Sequence, residues 1–558
     1  MEWDFDDEFK EFLWNVGNFL RDKGENNIPE LFCAATVAAW SLQYEQEDLK
    51  SLIKEFKDTK ELLSKYAKFY TELQVLAAQY GRDVLNGTYM GDIDQYLPVN
   101  INEMPAYNNG ESVNNLLLEL HHLEKGDVYV EYGCGSGSSL FKLAREGITA
   151  YGVELSSDIV KAAEIKAYWK KMKIKIECAD MEKNSTCDIS SVTKSTVDAG
   201  FTKNSQNFES LLNNKYLQPY KTVLKRGGVR VWGQALIAYQ KNKDGRVIAL
   251  TSASALTNNA DKEIRKNLIN QGIIEGIIEL PVGILPYTGV APVLVILSKD
   301  NRDSIKMMDA RDFGDKRSKN IFLDPFEREK LIKMYESGKG KCKVVSVTEI
   351  AKNDYMLSAN RYLDIDENTL EKGVALLDIC DIERGATIRA DELAELASDT
   401  PTKYQYLMLQ DIVDGKIVNR LPYITGIDKK YNAAILKDND IVISKLTPFK
   451  ICLVHINDDK EILANGNLFR LTVDPKKMNP VYVMLYLRSE KGQQELSRYV
   501  KGTAMRTISI KDLKLVQIPE LDMGKQKQIA DDYAKLMERL EEIDIERQKI
   551  ISDIADLI

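Results

Sequence analysis

The sequence predicts an α/β protein. A central doubly wound sheet is expected to be flanked by an N-terminal helical domain, a C-terminal α+β domain and a long terminal helix. Apolar residues recur at three- and four-residue spacing up to about residue 95, as on one face of a helix. Short apolar runs alternate with helical segments over residues 111–320, which favours a sheet covered on both faces. Residues 523–558 carry a heptad pattern.

Length and composition indicate a multidomain protein and argue against metal-binding, disulfide-bonded and membrane-spanning classes. A chain of 558 residues is too long for one core and predicts three or four domains. The seven cysteines form no Cys-x-x-Cys pair and the chain has three histidines, so we expect no metal site, no disulfide framework and a cytoplasmic location. The N-terminus is acidic and the sequence contains no run of about 18 apolar residues, so neither a signal peptide nor a membrane span is expected.

The N-terminal 95 residues are predicted to form the helical domain. Phe9, Phe12, Val16 and Leu20 follow the helical spacing. Turn-forming residues over 96–110 mark the boundary with the α/β region.

The α/β region contains short apolar runs that are typical of buried strands. Helical segments separate these runs, and Pro281 and Pro286 interrupt the chain before the last of them. The predicted strands are Val128–Glu131, Ala150–Glu154, Ile174–Cys178, Val247–Thr251, Ile273–Leu280 and Val293–Leu297.

A glycine turn follows the first predicted strand. Glu131 ends that strand, and glycines then occupy alternate positions. Glycine has no Cβ, so a ligand can approach the backbone closely at such a turn. Glu154 ends the next strand, where an acid can hold a ribose hydroxyl pair. A dinucleotide site would need a glycine at 138, where this chain has serine. The three glycines are Gly133, Gly135 and Gly137.

The C-terminal third changes character. Residues 365–520 are β-rich and interrupted by glycines, and residues 523–558 read as one helix with apolar residues at alternating four- and three-residue steps, broken by Arg547. The heptad predicts pairing with a like helix, within or between chains. Packing of this helix on its own domain would produce the same pattern. The seam is Ile529, Tyr533, Leu536, Leu540, Ile543, Ile550, Ile554 and Leu557.

Further segments follow the glycine turn in a fixed order. They are Thr251-Ser-Ala-Ser-Ala, Ile264-Arg-Lys, Ile277-Ile-Glu-Leu-Pro, Thr288 before a strand ending in Lys299, and Met356-Leu-Ser-Ala-Asn-Arg-Tyr. With the glycine turn, they resemble the modification subunit of type I restriction–modification systems, an adenine-specific DNA methyltransferase. The resemblance implies a SAM-methyltransferase-like sheet, with S-adenosylmethionine (SAM) as cofactor.

The C-terminal third resembles half of a type I specificity subunit, one target-recognition domain with its spacer helix. The segments that carry this resemblance are Leu377-Asp-Ile-Cys-Asp-Ile-Glu-Arg-Gly, Leu436-Lys-Asp-Asn-Asp-Ile-Val-Ile-Ser, Asn479-Pro480, Gly492, Gly502-Thr-Ala-Met-Arg, and Ile518-Pro-Glu-Leu before Gln526. The implied domains are a helical domain (1–95), a methyltransferase-like domain (96–362), a target-recognition domain (363–522) and a spacer helix (523–558).

The catalytic tetrad of that family, Asn-x-Pro-aromatic, has no full match in this chain. Such enzymes extrude the adenine, accept hydrogen bonds from its amine and stack an aromatic ring on the base. One candidate is Leu217-Gln218-Pro219-Tyr220, in which leucine replaces the hydrogen-bond acceptor. The other is Asp198-Ala-Gly-Phe201, which lacks the proline and whose surroundings are not predicted to form a strand.

The resemblance assigns roles to further residues. Glu131 and the backbone of the three glycines would hold the methionine end of SAM, Glu154 the ribose hydroxyls and Asp180 the adenine amine. A solvated strand-end carboxylate is the alternative for Glu154 and Asp180. The lysine-rich run 161–175 is interpreted either as a solvated helix face or as a phosphate-tracking surface.

The candidate DNA contacts lie in the target-recognition domain. A net charge of −9 requires any DNA binding to use a local basic face. Lysines in this domain stand among aromatic residues, and a Gly-Thr-Ala-Met-Arg-Thr turn lies where the specificity family has a Gly-Ser/Thr loop. A purely structural turn is the alternative there. The predicted contacts are Lys429, Lys430, Lys445, Lys450, Thr503, Arg506 and Thr507.

Two functions remain open from the sequence, and the specificity-like C-terminus argues against a third, a methyltransferase-fold protein that acts on something other than DNA. The first is a SAM-dependent adenine-N6 methyltransferase fused to its own recognition domain. The second is a catalytically inactive DNA-recognition or assembly subunit of a host-defence complex, in which the SAM site is retained or vestigial. Both imply double-stranded DNA as a partner, no membrane, and either a homo-oligomer or a complex with other subunits through the terminal helix.

Overall fold

The computed structural model describes residues 5–555 except 26, 97–108, 184–188, 190, 199–207, 225–228, 244, 286–287, 301, 318–319, 364–372, 419, 457–458 and 501–505. The chain divides into two compact units, Met1–Ala359 and Asn360–Ile558.

The first unit begins with short helices around an apolar core. Phe9, Phe12 and Val16 of the first helix are fully buried there, and a later helix (α10, Ser157–Lys170) supplies Ile159 and Ile165 to the same core. The N-terminal helices therefore pack directly on the α/β region. Helices α1 to α7 are Phe5–Asp22, Ile28–Ser41, Leu49–Ile53, Lys60–Tyr66, Tyr70–Ala77, Gly81–Val84 and Gly87–Gly91.

A large mixed sheet forms the rest of this unit. Its strand order is β11-β8-β6-β7-β5-β4-β1-β2-β3. Strands β1 to β5 pair in parallel, whereas β7 is antiparallel to both β5 and β6. Strands β1 to β11 are Val128–Tyr132, Thr149–Glu154, Ile176–Cys178, Lys194–Asp198, Val247–Ser252, Ile274–Glu279, Pro292–Leu297, Ser304–Asp309, Asp315–Arg317, Asn320–Phe322 and Cys342–Ser346. The predicted α/β class is confirmed.

Helices lie in four of the five connections between β1 and β6, as the alternating pattern predicts, and again between β10 and β11. Helices α8 to α16 are Glu111–His121, Ser138–Arg145, Ser157–Lys170, Phe208–Leu212, Val229–Lys241, Ser254–Thr257, Lys262–Asn270, Pro325–Ser337 and Val347–Lys352.

Strand β4 corrects the prediction that the residues around Asp198 form no strand. It lies in the middle of the sheet, between β1 and β5. Its polar side chains find partners inside the protein. The Ser195 hydroxyl donates to Asn242 Oδ1 at 2.7 Å, and the Thr196 hydroxyl hydrogen-bonds His121 Nε2 at 2.9 Å. Because these groups are satisfied, a polar segment is stable in a buried strand.

The second unit is α+β. One four-stranded sheet has the order β13-β22-β19-β20 and another β14-β18-β15-β21. Strands β12 to β23 are Gly373–Ala375, Cys380–Arg384, Ala397–Ser398, Tyr404–Leu407, Ile412–Val413, Lys416–Ile417, Tyr423–Ile424, Ile441–Ser444, Ile451–Leu453, Glu461–Ala464, Leu468–Val473 and Gln517–Pro519. Helices α17 to α22 are Leu376–Ile379, Ala390–Leu396, Pro480–Arg488, Glu490–Ser497, Ile510–Leu513 and Met523–Ala555.

The last helix, α22, packs on its own unit only near its start. Gln526 is buried and its Oε1 accepts a hydrogen bond from the Asn479 amide at 2.8 Å. Tyr533 contacts the adjacent core. Beyond it, Leu536, Leu540 and other apolar side chains are exposed. Within the described residues, the chain has no helix with the length and apolar character needed to span a membrane.

Candidate cofactor site

The glycine turn connects β1 to α9, and all three glycines have left-handed backbone angles. Their φ values are 76° at Gly133, 55° at Gly135 and 81° at Gly137. A Cβ added at Gly133 would lie 2.8 Å from the Asp198 carbonyl oxygen, and one at Gly137 would lie 2.9 Å from Ile174 Cδ1. Conformation and space therefore both require glycine at Gly133, where the neighbour is backbone, whereas at Gly137 the left-handed conformation is the main reason, because the end of the Ile174 side chain can shift.

Glu154, at the end of β2, accepts hydrogen bonds from the backbone of the turn and of the residues that follow β2. One carboxylate oxygen accepts a hydrogen bond from the Gly135 amide at 3.1 Å, and the other accepts from the Ser156 amide at 2.9 Å. Burial raises the pKa of Glu154, although these amide donors favour its charged form. The carboxylate predicted for a ribose also orders the glycine backbone.

The carboxylate of Glu131 has fewer stabilising contacts than that of Glu154. Its side chain is buried, and Oε1 accepts from the Ser139 hydroxyl at 3.2 Å. Its Oε2 is buried and has no hydrogen-bond partner within the part of the chain that the structure describes. Burial raises the pKa of Glu131 to about 8, and the negative charges of Asp198 and Glu154 act in the same direction. Among the described residues, the groups that act on this carboxylate are Ser139 and the two acids, and none of them is a cation.

Asp198 lies at the carboxyl end of β4, next to the turn. Strands β4 and β2 both pair with β1, so the ends that carry Asp198, Glu131 and Glu154 come together at one edge of the sheet. The Asn109 side-chain amide donates to Asp198 Oδ2 at 3.0 Å. Three acids thus surround the glycine turn, an arrangement that favours a cationic ligand.

Asp180 lies two residues after β3, the strand next to β2. Its side chain is partly exposed, and Oδ1 accepts a hydrogen bond from the Glu182 amide at 2.9 Å. The residue is at the same edge of the sheet as the glycine turn, where the resemblance expects the adenine end of the cofactor.

The candidate tetrad 217–220 lies on a 3-10 helix, Lys215–Tyr220, between α11 and α12. Leu217 and Tyr220 are buried, and Gln240 donates a hydrogen bond to the Tyr220 hydroxyl at 3.1 Å. The Gln218 amide donates to the Leu212 carbonyl at 3.0 Å. Pro219 lies inside this helix. These side chains serve local packing and are not at the end of a strand, whereas Asp198 of the other candidate is the last residue of β4. Residues 199–201 are outside the described residues.

The lysine-rich run is not a uniform solvated face. Lys166 and Lys170 both lie on α10 and form ion pairs with Asp94 and Asp92 at 2.6 Å each. The Lys166 side chain is 1% exposed and that of Lys170 is 7% exposed. For these two lysines, the solvated-face and phosphate-tracking interpretations are both wrong. A sequence cannot show which lysines in such a run are buried.

In the second unit, the predicted basic residues differ in availability. Lys429 and Lys430 are exposed on the 3-10 helix Lys429–Ala434, and Lys430 Nζ lies 3.4 Å from Glu392 Oε1. Lys445 is half-buried. Lys450 Nζ donates to the carbonyls of Leu409 and Ile412 at 3.0 and 2.8 Å, so this ammonium group is already engaged within its own domain.

The loop predicted to contact DNA is described only at its end. Arg506 is exposed, and its carbonyl accepts a hydrogen bond from the Thr447 amide at 3.1 Å. Thr507 is half-buried and forms an isolated antiparallel bridge with Leu446. Thr503 lies outside the described residues.

Comparison with known proteins gives two family matches in tandem. The N-6 DNA methylase family matches residues 80–371, and the type I restriction modification DNA specificity domain matches residues 372–554.

Two curated relatives are from Methanocaldococcus jannaschii. The type I restriction enzyme MjaVII methylase subunit is 24% identical over 403 residues, covering 64% of this chain and 66% of the relative. The MjaVIII methylase subunit is 23% identical over 320 residues, covering 50% of this chain and 53% of the relative. The chain thus spans just under two thirds and about half of the length of these relatives.

Among solved structures, a type I restriction-modification system methyltransferase subunit from Streptococcus thermophilus superposes with a TM-score of 0.50 at 16% identity. The match covers 64% of this chain and 100% of that chain. At this identity, the likeness supports the fold.

Proposed function

Because this chain belongs to the N-6 DNA methylase family and also carries a type I specificity domain, we propose that it transfers a methyl group from SAM to the N6 atom of adenine in double-stranded DNA. The observation that carries this proposal is the group of three acids around the glycine turn. The specificity domain would select the target sequence, and the methylase domain would bind the extruded base.

The residues at the turn suit the methionine end of SAM. SAM carries an ammonium group and a sulfonium centre, and when bound it supplies an electrophilic methyl group. Glu131 has a buried carboxylate oxygen without a partner among the described residues, and an ammonium group there would both donate a hydrogen bond and neutralise the charge. Glu154, at the end of β2, would hold the ribose hydroxyls, and Asp180 would accept from the adenine amine.

Asp198 is the best candidate for the group that receives the target amine. A carboxylate accepts hydrogen bonds from an exocyclic amine as that amine attacks, which the leucine of the other candidate segment cannot do. Gly133 supports this role, because its backbone lies against the Asp198 main chain and brings the acid close to the cofactor turn. Phe201, three residues further, would stack on the extruded base.

Substitution of Asp198 tests this role. Asp198→Ala should lower the methylation rate of mixed-sequence duplex DNA by about a hundredfold to a thousandfold, the usual effect of removing a preorganised hydrogen-bonding group. Gln218→Ala, in the other candidate segment, is the matched control and should retain the rate. Transfer of a labelled methyl group measures both. If Asp198→Ala retained full activity and Gln218→Ala did not, the acceptor would have been assigned to the wrong segment.

A second candidate function is a DNA-binding subunit without methyl transfer. The observation that favours it is the sequence Asp198-Ala-Gly-Phe201, in which alanine and glycine follow the acid and no proline is present. Calorimetry with SAM separates the candidates when combined with the methylation assay. Binding of SAM and DNA without transfer supports the second, and no SAM binding at millimolar concentration indicates a vestigial site.

The terminal helix would mediate association with a second chain or with a partner subunit. Its exposed apolar residues, including Leu536 and Leu540, support pairing with a like helix of a second chain or of a partner subunit. Such pairing would bring a second recognition domain to the DNA, and binding through two domains strengthens the overall affinity.

A further inference from the structure

A buried polar cluster lies under the glycine turn and joins it to the N-terminal helices. Asp94, at the end of the helical region, accepts a hydrogen bond at 2.6 Å from the hydroxyl of Ser136, which stands between Gly135 and Gly137. Lys166 of α10 donates to the same Asp94 oxygen at 2.6 Å and to the Ser136 hydroxyl at 2.9 Å. The three side chains thus form a closed triangle.

The cluster is buried and its lysine is fully used. The Lys166 ammonium also donates to the Ser138 hydroxyl at 3.2 Å, so its three protons meet three acceptors. The side chains of Lys166 and Asp94 are 1% and 0% exposed, and Ser136 is fully buried. Charge-assisted hydrogen bonds shielded from water hold geometry more firmly than exposed ones.

The glycine turn needs such support from outside. Glycine loses more conformational freedom on ordering than any other residue, so a turn with three glycines has many competing conformations without a ligand. Glu154 fixes the Gly135 amide. Ser136, the next residue, is fixed by Asp94 and Lys166, so adjacent positions in the middle of the turn are restrained by two separate groups of side chains.

We propose that Asp94 and Lys166 are positioning residues for SAM binding: by holding Ser136, they keep the glycine turn in its binding conformation, so the end of the N-terminal helical region forms part of the cofactor site. This inference rests on the proposed function, since it assumes that the turn binds SAM. A preordered site binds more tightly because less conformational entropy is lost on binding.

A neighbouring ion pair provides the matched control. Lys170 lies one helical turn after Lys166 on α10 and pairs with Asp92, two residues before Asp94. This pair joins the same two segments and has no direct hydrogen bond to the glycine turn among the contacts described. If both pairs only docked α10 on the N-terminal helices, removing either pair would have the same effect on SAM binding. If the Lys166 pair positions the turn, removing it would weaken SAM binding more than removing the Lys170 pair.

The test uses the full-length protein and calorimetry with SAM. Ser136→Ala keeps the ion pair and removes its link to the turn, and Asp94→Leu with Lys166→Met removes the pair together with both of its contacts to Ser136 and leaves no unpaired charge. Each change should weaken SAM binding about tenfold, the value of roughly one charge-assisted hydrogen bond. The triple variant should be little weaker than either, because all the changes break one connection. Asp92→Leu with Lys170→Met should stay within about twofold of the wild type.

Hydrogen exchange of the amides of residues 133–138, without SAM, is the second readout. Exchange should be faster in the Ser136 and Asp94/Lys166 variants and unchanged in the Asp92/Lys170 variant. Unchanged SAM affinity in the first two variants, or equal weakening in the control, would overturn the positioning role while leaving the proposed function intact. If the wild type binds no SAM, the proposed function fails. If, in addition, the amides of residues 133–138 exchange at the same rate in all variants and in the wild type, positioning of the turn is excluded as well.

Discussion

At the scale of single residues, Glu131 shows how an acid can be prepared for a cation. A carboxylate removed from water is destabilised unless a positive charge or hydrogen-bond donors replace the lost hydration. Ser139 provides one donor to Glu131, and Asp198 and Glu154 add repulsion. The pKa of about 8 follows from this imbalance, with burial as the largest cause. The residue thereby lowers the stability of the free protein near neutral pH.

The stability of the free protein should therefore depend on pH through Glu131. The folded pKa of about 8 is above that of the unfolded chain, so the folded state keeps a proton that the unfolded state releases. The contribution of this retained proton to the free energy of unfolding is complete below about pH 4 and is lost as the pH rises to about 8. Between pH 5 and 8, Glu131→Gln should lose less free energy of unfolding than the wild type, by on the order of 2–4 kcal/mol. Denaturant unfolding at both pH values measures this, and identical losses would contradict it.

SAM binding should show the opposite pH dependence. A cationic ligand favours the ionised carboxylate, so the affinity of the wild type for SAM should rise between pH 6 and 8, and binding at pH 7 should release protons. Calorimetry in buffers of different ionisation enthalpy measures that release. Glu131→Gln should bind SAM more weakly, with a flatter pH profile. Proton uptake by the wild type would be inconsistent with this role.

Local pattern predicted part of the site. The glycine turn and its two acids stand close together in sequence or at the ends of apolar strands, so their positions follow from strand and turn rules. Asp94, Ser136 and Lys166 could not be found in this way. Asp94 is separated by 42 residues from Ser136 and by 72 from Lys166, and no local rule relates residues so far apart.

At the scale of elements, the terminal helix α22 has an apolar face that its own unit does not bury. Its 33 residues extend about 50 Å at the usual rise per residue. Its first turns pack on the second unit, whereas Leu536, Leu540 and Ile543 are 65%, 43% and 51% exposed. An apolar seam at heptad spacing is stabilised when it is buried against another helix.

Two charges in that seam should separate the assembly. Leu536→Glu with Leu540→Glu should convert an oligomer to a monomer, because both substitutions place carboxylates in an apolar interface. DNA affinity should fall at the same time through the loss of bivalency. Light scattering measures the mass, and Glu538→Gln with Glu542→Gln, on other faces of the helix, is the control. A monomer before and after the substitutions would exclude pairing through this helix.

Up to residue 297, strand prediction succeeded where strands are apolar and failed at β4, and β8 to β11 were not predicted. The runs predicted from residue 128 to residue 297 all coincide with strands of the sheet, with differences of one or two residues at their ends. Strand β4 instead contains Lys194, Ser195 and Thr196, and its stability depends on partners such as Asn242 and His121. Tertiary contacts of this kind override a weak local preference.

At the scale of the whole molecule, one chain combines an N-6 DNA methylase domain with a type I specificity domain. The net charge of −9 opposes indiscriminate attraction to DNA. Under the proposed function, affinity for DNA would come from a local basic surface, for which the exposed Lys429 and half-buried Lys445 of the second unit are candidates.

The salt dependence of DNA binding should identify that surface. Each phosphate contact contributes about −0.9 to the slope of log affinity against log salt concentration. Lys429→Ala and Lys445→Ala should each reduce the steepness of the slope by about 1. Lys173→Ala, an exposed lysine of the first unit, should not change it. Fluorescence anisotropy across a salt series measures the slopes. A loss of slope only with Lys173→Ala would move the DNA contact to the first unit.

The contacts of α10 also bear on the order in which the chain is made. The helices that begin the protein leave the ribosome before Ile159 and Ile165, which complete their core, and before Lys166, which neutralises Asp94. At about 5–20 residues per second, Lys166 follows Asp94 by roughly 4–14 s. During that interval the nascent helical region has an incomplete core and an acid without its cation. We therefore expect its final packing to await α10 and to coincide with the ordering of the glycine turn.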